Sequence, residues 1–255
     1  MKTSVSWGIL LAVVLALLAY GHIDQLSHYH DFADQQPWLG VRNGKDVCSN
    51  IGFVVLGMLG CWHCHHSDRT AWGRNSAFLL SIAMVLTGLG SAFYHHQPND
   101  FTLVWDRLPI SLICAGLLGL VYSHSHQRPD TWVLASAVWV AVVGVAYWHV
   151  SQDLRPYLGL QLFSILVLPY WLWQGHVARP IRLALLWAIV FYILAKVTES
   201  LDAPIWQLSH HLISGHTLKH ILATASMYMV YRTLVAMLPI SLNADADRCP
   251  NRKFG

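Results

Sequence analysis

Long apolar stretches separated by short polar connections constrain the fold of this 255-residue chain more than any other feature. A helix needs about 20 predominantly apolar residues to cross the hydrocarbon core of a bilayer. Charged residues make up only 11% of the chain, against about 25% in soluble domains. The sequence therefore predicts an all-α integral membrane bundle. Its eight candidate helices run approximately over residues 7–20, 47–63, 77–94, 103–122, 131–149, 157–174, 181–198 and 212–231.

The first apolar stretch admits two interpretations. Lys2 and the apolar run 9–19 have the character of a cleaved signal peptide, but Tyr20 and His22 crowd the place where small residues would mark a cleavage site. We therefore expect an uncleaved N-terminal transmembrane helix. The chain then divides into this helix, a membrane core and a polar C-terminal tail, over residues 1–25, 26–238 and 239–255.

Basic residues in the loops set the expected orientation, because cytoplasmic loops carry an excess of lysine and arginine. Counted from the N-terminus, the odd-numbered loops hold only Arg42, Lys45 and Arg155. Both termini are therefore predicted to be cytoplasmic, with the polar motifs described below toward the outer face. A net charge of +3, confined to loops, gives no reason to expect nucleic-acid binding. The even-numbered loops and the tail hold Arg69, Arg74, Arg128, Arg179, Arg182, Arg248, Arg252 and Lys253.

Three histidines lie near the ends of predicted helices, where an isolated polar group would be costly. His216 and His220 are four residues apart, so they share one helix face about one turn apart. His95, from another helix, would supply a third imidazole and leave a fourth position for water. That is the ligand arrangement of a catalytic zinc rather than a structural one. His96 competes with His95, but only His95 keeps a four-residue spacing to Ser91.

Asp106 and Ser91 are the candidates for chemistry beside this zinc. Bound zinc lowers the pKa of its water to about 7, and a nearby carboxylate can take the water's proton and pass it to a leaving amine. Asp106 suits that task, and Ser91 could donate a hydrogen bond to a developing oxyanion or orient a ligand. The alternative for Asp106 is a salt bridge or a charge at a helix N-terminus. The alternative for each histidine is a hydrogen-bonded packing residue.

A second polar group, Lys196, Glu199 and Asp202, occurs at the end of the seventh apolar stretch. Lys196 and Glu199 are three residues apart, so they could simply pair with each other. They could also orient the ligand histidines through the free ring nitrogens. These two interpretations have equal weight.

A third polar group surrounds the start of the second apolar stretch. Its carboxylates and amides could bind Ca²⁺, a hard cation that prefers oxygen ligands. Capping of the helix is the stronger interpretation for Asp46, and a polar contact between helices is the stronger one for Asn50. The complete group is Asp31, Asp34, Asn43, Asp46 and Asn50.

The run from Cys61 to His65 fits the C-x-x-C-H pattern of c-type haem attachment. Such attachment occurs outside the cytoplasm, whereas the predicted topology places this segment inside. A second metal site that includes Cys61, Cys64, His65 and His66 is an alternative, and a solvated cluster at the membrane interface is favoured. The five cysteines, an odd number, define no disulfide framework.

At these motifs the chain resembles the alkaline ceramidase family, in the wider group of seven-helix membrane hydrolases that includes the progestin and adipoQ receptors. Ser91 and His95 fit Ser-x-x-x-His, Asp106 fits Trp-Asp-x-Leu-Pro, and His216 with His220 fit His-x-x-x-His. The motifs occur in the same order on successive helices, and the likeness covers residues 28–235. Four further segments are similar to this group or to bacterial ceramidase-domain proteins in particular: 30–40, 46–50, 195–202 and 214–220.

The resemblance implies a zinc-dependent hydrolase that cleaves the amide bond of ceramide or a related membrane lipid. It implies that His95, His216 and His220 hold the zinc and that Ser91 and Asp106 assist hydrolysis. It also implies a core of seven helices, to which the first apolar stretch here is an addition. The animal enzymes have an acidic N-terminal segment associated with Ca²⁺. An extra apolar helix and a different polar loop replace that segment here, which argues against a calcium site.

Two other functions remain open from the residues alone. A membrane receptor or metal-binding module on the same scaffold would keep the histidines and bind lipid without turnover. A metal or proton transporter would need polar groups through the whole membrane depth, and here they gather at one face. The likeness to bacterial proteins favours the bacterial inner membrane as the location, and no protein partner is predicted.

Overall fold

The computed structural model describes residues 2–68, 70–175 and 177–240, and every regular element in these ranges is a helix. This confirms the all-α prediction. Arg69 and residues 241–255, which include most of the predicted tail and its basic residues, lie outside the described residues. The helices are α1 (Lys2–Tyr20), α2 (Gly44–Cys48), α3 (Ile51–His66), α4 (Arg74–His96), α5 (Asp100–His126), α6 (Thr131–Ser151), α7 (Arg155–Gln174), α8 (Arg179–Ser200), α9 (Asp202–Leu208) and α10 (Gly215–Met237).

Six segments of the described chain are long and apolar enough to cross a membrane: α2 together with α3, and α4, α5, α6, α7 and α8. Large apolar side chains such as Trp132, Val150 and Trp173 are exposed on these helices, as lipid-facing side chains would be. The protein is therefore a multi-pass helical membrane bundle. α1 contributes a shorter apolar run. α10, with 23 residues, is as long as the spanning helices but less apolar than they are, because its first two turns carry polar residues.

Helix α5 is the central element of the bundle, since it packs against α4, α6 and α7. α10 packs against α8 and α3 and closes the other side, whereas α1 lies against α7. Small residues let the helices approach closely, as they commonly do in membrane proteins. A Cβ added at Gly57 of α3, for example, would lie 2.6 Å from the backbone nitrogen of Val85 in α4.

The closest approach of α4 and α5 occurs at Gly90, one residue before Ser91. A Cβ at Gly90 would overlap the carbonyl oxygen of Trp105. That carbonyl lacks its usual helical partner, because Pro109 four residues later has no N–H group. The glycine and the proline together bring the backbone before Asp106 directly against the backbone before Ser91.

Two predicted positions within helices were wrong. Asp106 does not open its helix, because α5 begins at Asp100 after a capping box in which Asn99 and Thr102 bond each other's backbone N–H groups. Asp202 does not lie on the same helix as Glu199, because α8 ends at Ser200 and Asp202 begins the short α9. His95 in the last turn of α4 and His216 in the first turn of α10 agree with the prediction.

The loop of residues 21–43 crosses the end of the bundle where α4 ends and α5 and α10 begin. Its first part is fixed to the corner between α6 and α7, where the backbone N–H of Ile23 donates to Asp153 at 3.3 Å. Farther along, the backbone N–H of Ala33 donates to Asp202 at 2.9 Å. We call this end of the bundle the site end and this segment the covering loop.

Candidate metal centre

Three buried imidazoles meet at the site end. One ring nitrogen from each of His95, His216 and His220 lies within 4.8 Å of the others, and no other such group of metal-ligating side chains occurs among the described residues. His95 comes from the last turn of α4, and the other two occupy the first two turns of α10. His96, the competitor of His95, is exposed and outside the group.

The local sequence around Gly215 sets the start of α10. Ser214 caps the helix by accepting a hydrogen bond from the backbone N–H of Thr217 at 2.9 Å. Asp202 accepts a second one, from the backbone N–H of His216, at 2.8 Å. A side chain at Gly215 would collide with the end of α8 and with Asp202. Asp202 thus positions a predicted ligand through the backbone, not through a ring nitrogen as the sequence analysis considered.

Three of the ring nitrogens have no hydrogen-bond partner in the described part of the chain, although they are buried. They are both nitrogens of His95 and Nε2 of His220. Leaving a buried polar nitrogen without a partner costs about 1–3 kcal/mol, so such groups are rare without a function. Neutral imidazole nitrogens are the commonest ligands of transition metals in proteins, and the orphaned atoms of this group fit a bound divalent cation.

A hydrogen-bond chain fixes which nitrogen of His220 carries its proton. The Ser49 hydroxyl donates its one hydrogen to the carbonyl oxygen of Asp46 at 2.8 Å, so it must accept from Nδ1 of His220, 2.7 Å away. Nδ1 is therefore the protonated nitrogen, and the lone pair of Nε2 is free to bind a metal. Hydrogen bonding at the other ring nitrogen is the usual way in which proteins orient metal-binding histidines.

Asp46 and Asn50 lie beside this chain, and one interpretation of them was wrong. Asp46 does not cap a helix: it lies in the first turn of α2, and its carboxylate accepts a hydrogen bond from the Thr217 hydroxyl at 2.6 Å. Asn50 makes the expected contact between helices, because its amide lies 3.4 Å from Nδ1 of His220. Both residues therefore connect α2 and the start of α3 to α10.

Lys219 places an ammonium group between His216 and the neighbouring acidic residue. Its Nζ lies 2.6 Å from Nε2 of His216 and 3.2 Å from the carboxylate of Glu199, which also pairs with Lys196. The pairing of Lys196 with Glu199, one of the two interpretations that had equal weight, is confirmed. Because Glu199 also pairs with Lys219, the ammonium group keeps a partner when it moves away from Nε2 of His216. The lone pair of that nitrogen would then be available to a metal ion.

Ser91 and Asp106 face each other next to the imidazoles. The close approach of α4 and α5 at Gly90 brings the Ser91 hydroxyl within hydrogen-bonding reach of the Asp106 carboxylate. Both side chains are buried, and both line the same cavity as His220. Asp106 makes no salt bridge within 4 Å in the described chain, and it lies beyond the first turn of α5, so neither alternative for this residue is found.

The cavity has a volume of about 310 Å³ and extends from these polar groups into the bundle. Farther from the imidazoles its wall is apolar and includes Ile113, Leu168, Leu185 and Met227. The covering loop forms the opposite boundary, where the Phe32 ring contacts the rings of His95 and His216 at centroid distances of 4.7 and 4.6 Å. The site is thus a polar centre at the end of an apolar chamber.

The other predicted polar groups do not gather into metal-binding clusters in the described chain. Asp34 pairs with Lys45 at 3.0 Å, and Asn43 donates to the carbonyl oxygen of His95 at 2.9 Å. In the Cys61–His65 run, His63 bonds the Leu238 carbonyl oxygen at 2.6 Å, and Cys64 lies beside Ser81. Cys64 is fully buried, so the favoured interpretation of a solvated cluster is wrong for this residue, whereas His65 is exposed.

Sequence reasoning missed four residues of this site. Lys219 had a usable signal, because it stands three residues after His216 and therefore on the same helix face. Ser49 lies inside a segment that the resemblance had already marked. Phe32 lies inside another such segment, 30–40. Arg107, which follows Asp106 and lines the same cavity, had no signal, since its surroundings depend on tertiary packing. A search of known protein-family models finds none that matches this chain.

Proposed function

We propose that the protein is a zinc-dependent membrane hydrolase that cleaves the amide bond of ceramide or a related lipid amide. The observation that carries the proposal is the group of three buried imidazoles at the polar end of an apolar cavity, in which both ring nitrogens of His95 and Nε2 of His220 have no hydrogen-bond partner in the described chain. The motif resemblance to the alkaline ceramidases supports it independently.

Each residue of the site has its own role in the proposed hydrolysis. A zinc ion held by His95, His216 and His220 would polarise the amide carbonyl and activate a water molecule. Asp106 takes one proton from the attacking water, whose oxygen forms a bond to the carbonyl carbon. The carbon–nitrogen bond then breaks as Asp106 passes that proton to the amine nitrogen. Ser91, within reach of Asp106, donates its one hydrogen to the carboxylate before the attack; once Asp106 has taken the proton, that hydrogen can turn to the negatively charged oxygen.

The apolar part of the cavity favours a lipid amide over a water-soluble amide as the substrate. An acyl chain buried there gains about 0.8 kcal/mol for each CH₂ group removed from water. Ligand cavities range from about 300 to 1,000 Å³, and the volume here lies at the lower end of that range. The cavity therefore suits one chain and the bond to be cleaved.

Metal analysis of purified protein, paired with an assay on an N-acyl lipid, tests the proposal. We expect stoichiometric zinc and hydrolysis in the wild type, and neither in His216→Ala. His96→Ala is the matched control, because His96 is adjacent to a ligand but exposed and outside the group. A wild-type protein free of bound metal after gentle purification, or a His216→Ala variant with full turnover, would contradict the mechanism.

A further inference from the structure

Arg107 is a buried cation that has no anionic partner among the described residues. It lies on α5 directly after Asp106 and is only 4% exposed. Its Nη2 donates to the side-chain oxygen of Gln25, whereas Nη1 has no hydrogen-bond acceptor. Within the described chain, no carboxylate oxygen comes within 4 Å of its guanidinium nitrogens. A buried guanidinium is normally paired, because removing its charge from water is costly.

Three aromatic rings surround this guanidinium. Its Cζ lies 4.0 Å from the ring centroid of Trp148 and 5.2 Å from those of Tyr29 and Tyr157. These cation–π contacts stabilise the charge, and they fix the guanidinium plane in one place. They do not provide an acceptor for Nη1. The three rings hold the guanidinium in position and leave Nη1 free to donate to a ligand.

The donor belongs to the wall of the same cavity as the candidate metal centre. Arg107, Gln25, Tyr29 and Tyr157 all line it, together with Asp106. The charged residues of this wall are three cations and two carboxylates, so one positive charge is in excess. Two of the cations, Lys196 and Lys219, share Glu199, and Arg107 is the cation that no carboxylate contacts.

We propose that Arg107 binds an oxyanion, a carboxylate or phosphate, carried by the amine part of the lipid substrate. This inference rests on the proposed function for the position of the amide bond and refines it by naming the substrate class. Arginine binds such groups well because its planar guanidinium presents parallel N–H donors. Since Arg107 and Asp106 line the same cavity, one lipid can present its oxyanion to Arg107 and its amide to Asp106. The preferred substrate is therefore an anionic lipid amide and not a neutral one.

Two lipids that differ in one group provide the test. N-palmitoylglycine and N-palmitoylethanolamine share the acyl chain and the amide, but only the first carries a carboxylate. Affinities are measured for chelator-treated protein in an uncharged maltoside detergent, so that neither metal nor turnover is needed. We expect the wild type to bind the glycine conjugate about tenfold more tightly, the ratio that one charge-assisted hydrogen bond supplies.

Variants assign that preference to the guanidinium. Arg107→Gln should bind both lipids equally, Arg107→Lys should keep part of the preference, and Arg179→Gln, at an exposed arginine of α8, should keep all of it. Inorganic phosphate should not displace the lipid at equal concentration. Equal wild-type affinities would overturn the proposal even if no variant folds, and so would an intact preference in Arg107→Gln. Displacement by free phosphate would identify a soluble anion instead of a lipid.

The two proposals fail separately. A protein that hydrolyses both lipids but binds them equally would retain the hydrolase mechanism and refute the oxyanion site. A protein that binds the anionic lipid through Arg107 but hydrolyses neither lipid would retain the oxyanion site and refute the hydrolase mechanism.

Discussion

The Ser49 hydroxyl determines the chemistry of His220 although it touches no substrate. Because its hydrogen is donated to the Asp46 carbonyl oxygen, the hydroxyl accepts from Nδ1, which leaves the lone pair of Nε2 free for the proposed metal ion. One serine thus sets both the proton position and the ring orientation of a candidate ligand.

Replacing Ser49 with alanine should weaken metal binding without abolishing the fold. Loss of a hydrogen bond to a ligand histidine typically lowers metal affinity about 10–100-fold. Zinc affinity, measured by competition with a chelator, provides the readout. Ser136→Ala is the control, since Ser136 bonds only carbonyls of its own helix and is exposed. Equal zinc affinities in Ser49→Ala and the wild type would refute the assigned role.

Asp106→Asn separates an enzyme from a receptor on the same scaffold. The amide keeps the size of the side chain but cannot take a proton from water, so we expect turnover to fall about 10²–10⁴-fold. Zinc content should be unchanged, because Asp106 is not in the ligand group. The measurement combines metal analysis with kcat for an N-acyl lipid. Undiminished turnover in the variant would remove Asp106 from the mechanism.

At the scale of elements, the contact between α4 and α5 depends on Gly90. Gly90→Ala places a methyl group on the Trp105 carbonyl oxygen, and the helices must separate. Overpacking of this kind costs about 1–3 kcal/mol. We expect a lower midpoint of thermal unfolding in detergent and a reduced kcat, because Ser91 moves away from Asp106. Gly8→Ala in α1 has open space around it and should unfold like the wild type; a Gly90→Ala variant that does the same would show that the contact is not tight.

The helices themselves could be predicted from the sequence, but their first residues could not. Apolar runs gave the position of every long helix, because each run must be buried or covered by lipid. α5 begins earlier than its apolar run, since the Asn99–Thr102 capping box lies in polar sequence. α9 was missed for a different reason: a helix of seven residues is too short to show a periodic pattern.

At the scale of the whole molecule, Asp153 fastens the covering loop to the bundle. Its carboxylate accepts from Ile23 in the loop and pairs with Arg155, whose nitrogen lies 2.7 Å away. Hydrogen bonding from Arg155 lowers the pKa of Asp153 to about 2, from the ordinary value of 3.8. A carboxylate with a depressed pKa stabilises the folded state above its unfolded pKa, and that contribution disappears as the pH falls through the folded value.

Asp153→Asn should therefore destabilise the protein at pH 6 and lose its effect on acidification. The difference in thermal midpoint between variant and wild type should shrink from about pH 4 toward pH 2. Asp68→Asn is the control, because Asp68 lies in an exposed turn away from the covering loop. A difference in midpoint that is as large at pH 2 as at pH 6 would rule out the ionised form as the source of the effect.

The convergence of the site residues could be predicted from the sequence, whereas their immediate surroundings could not. Successive membrane helices alternate in direction, so His95 and His216 had to reach the same end of the bundle. The cage around Arg107 and the contact of Phe32 with the imidazoles join segments far apart in the chain. The periodicity of the sequence cannot predict such contacts, because one partner in several of them comes from the covering loop, which has no regular structure.

The modest hydropathy of α10 has a consequence for biosynthesis. Two of the three imidazoles arrive on this helix, which the ribosome makes after the six strongly apolar segments have been completed. Its polar first turns are unfavourable in lipid alone, and they become acceptable only against α8 and α3, which are already in the bilayer. The candidate metal centre is accordingly among the last parts of the described chain to assemble, and nascent chains that lack α10 lack two of its three imidazoles.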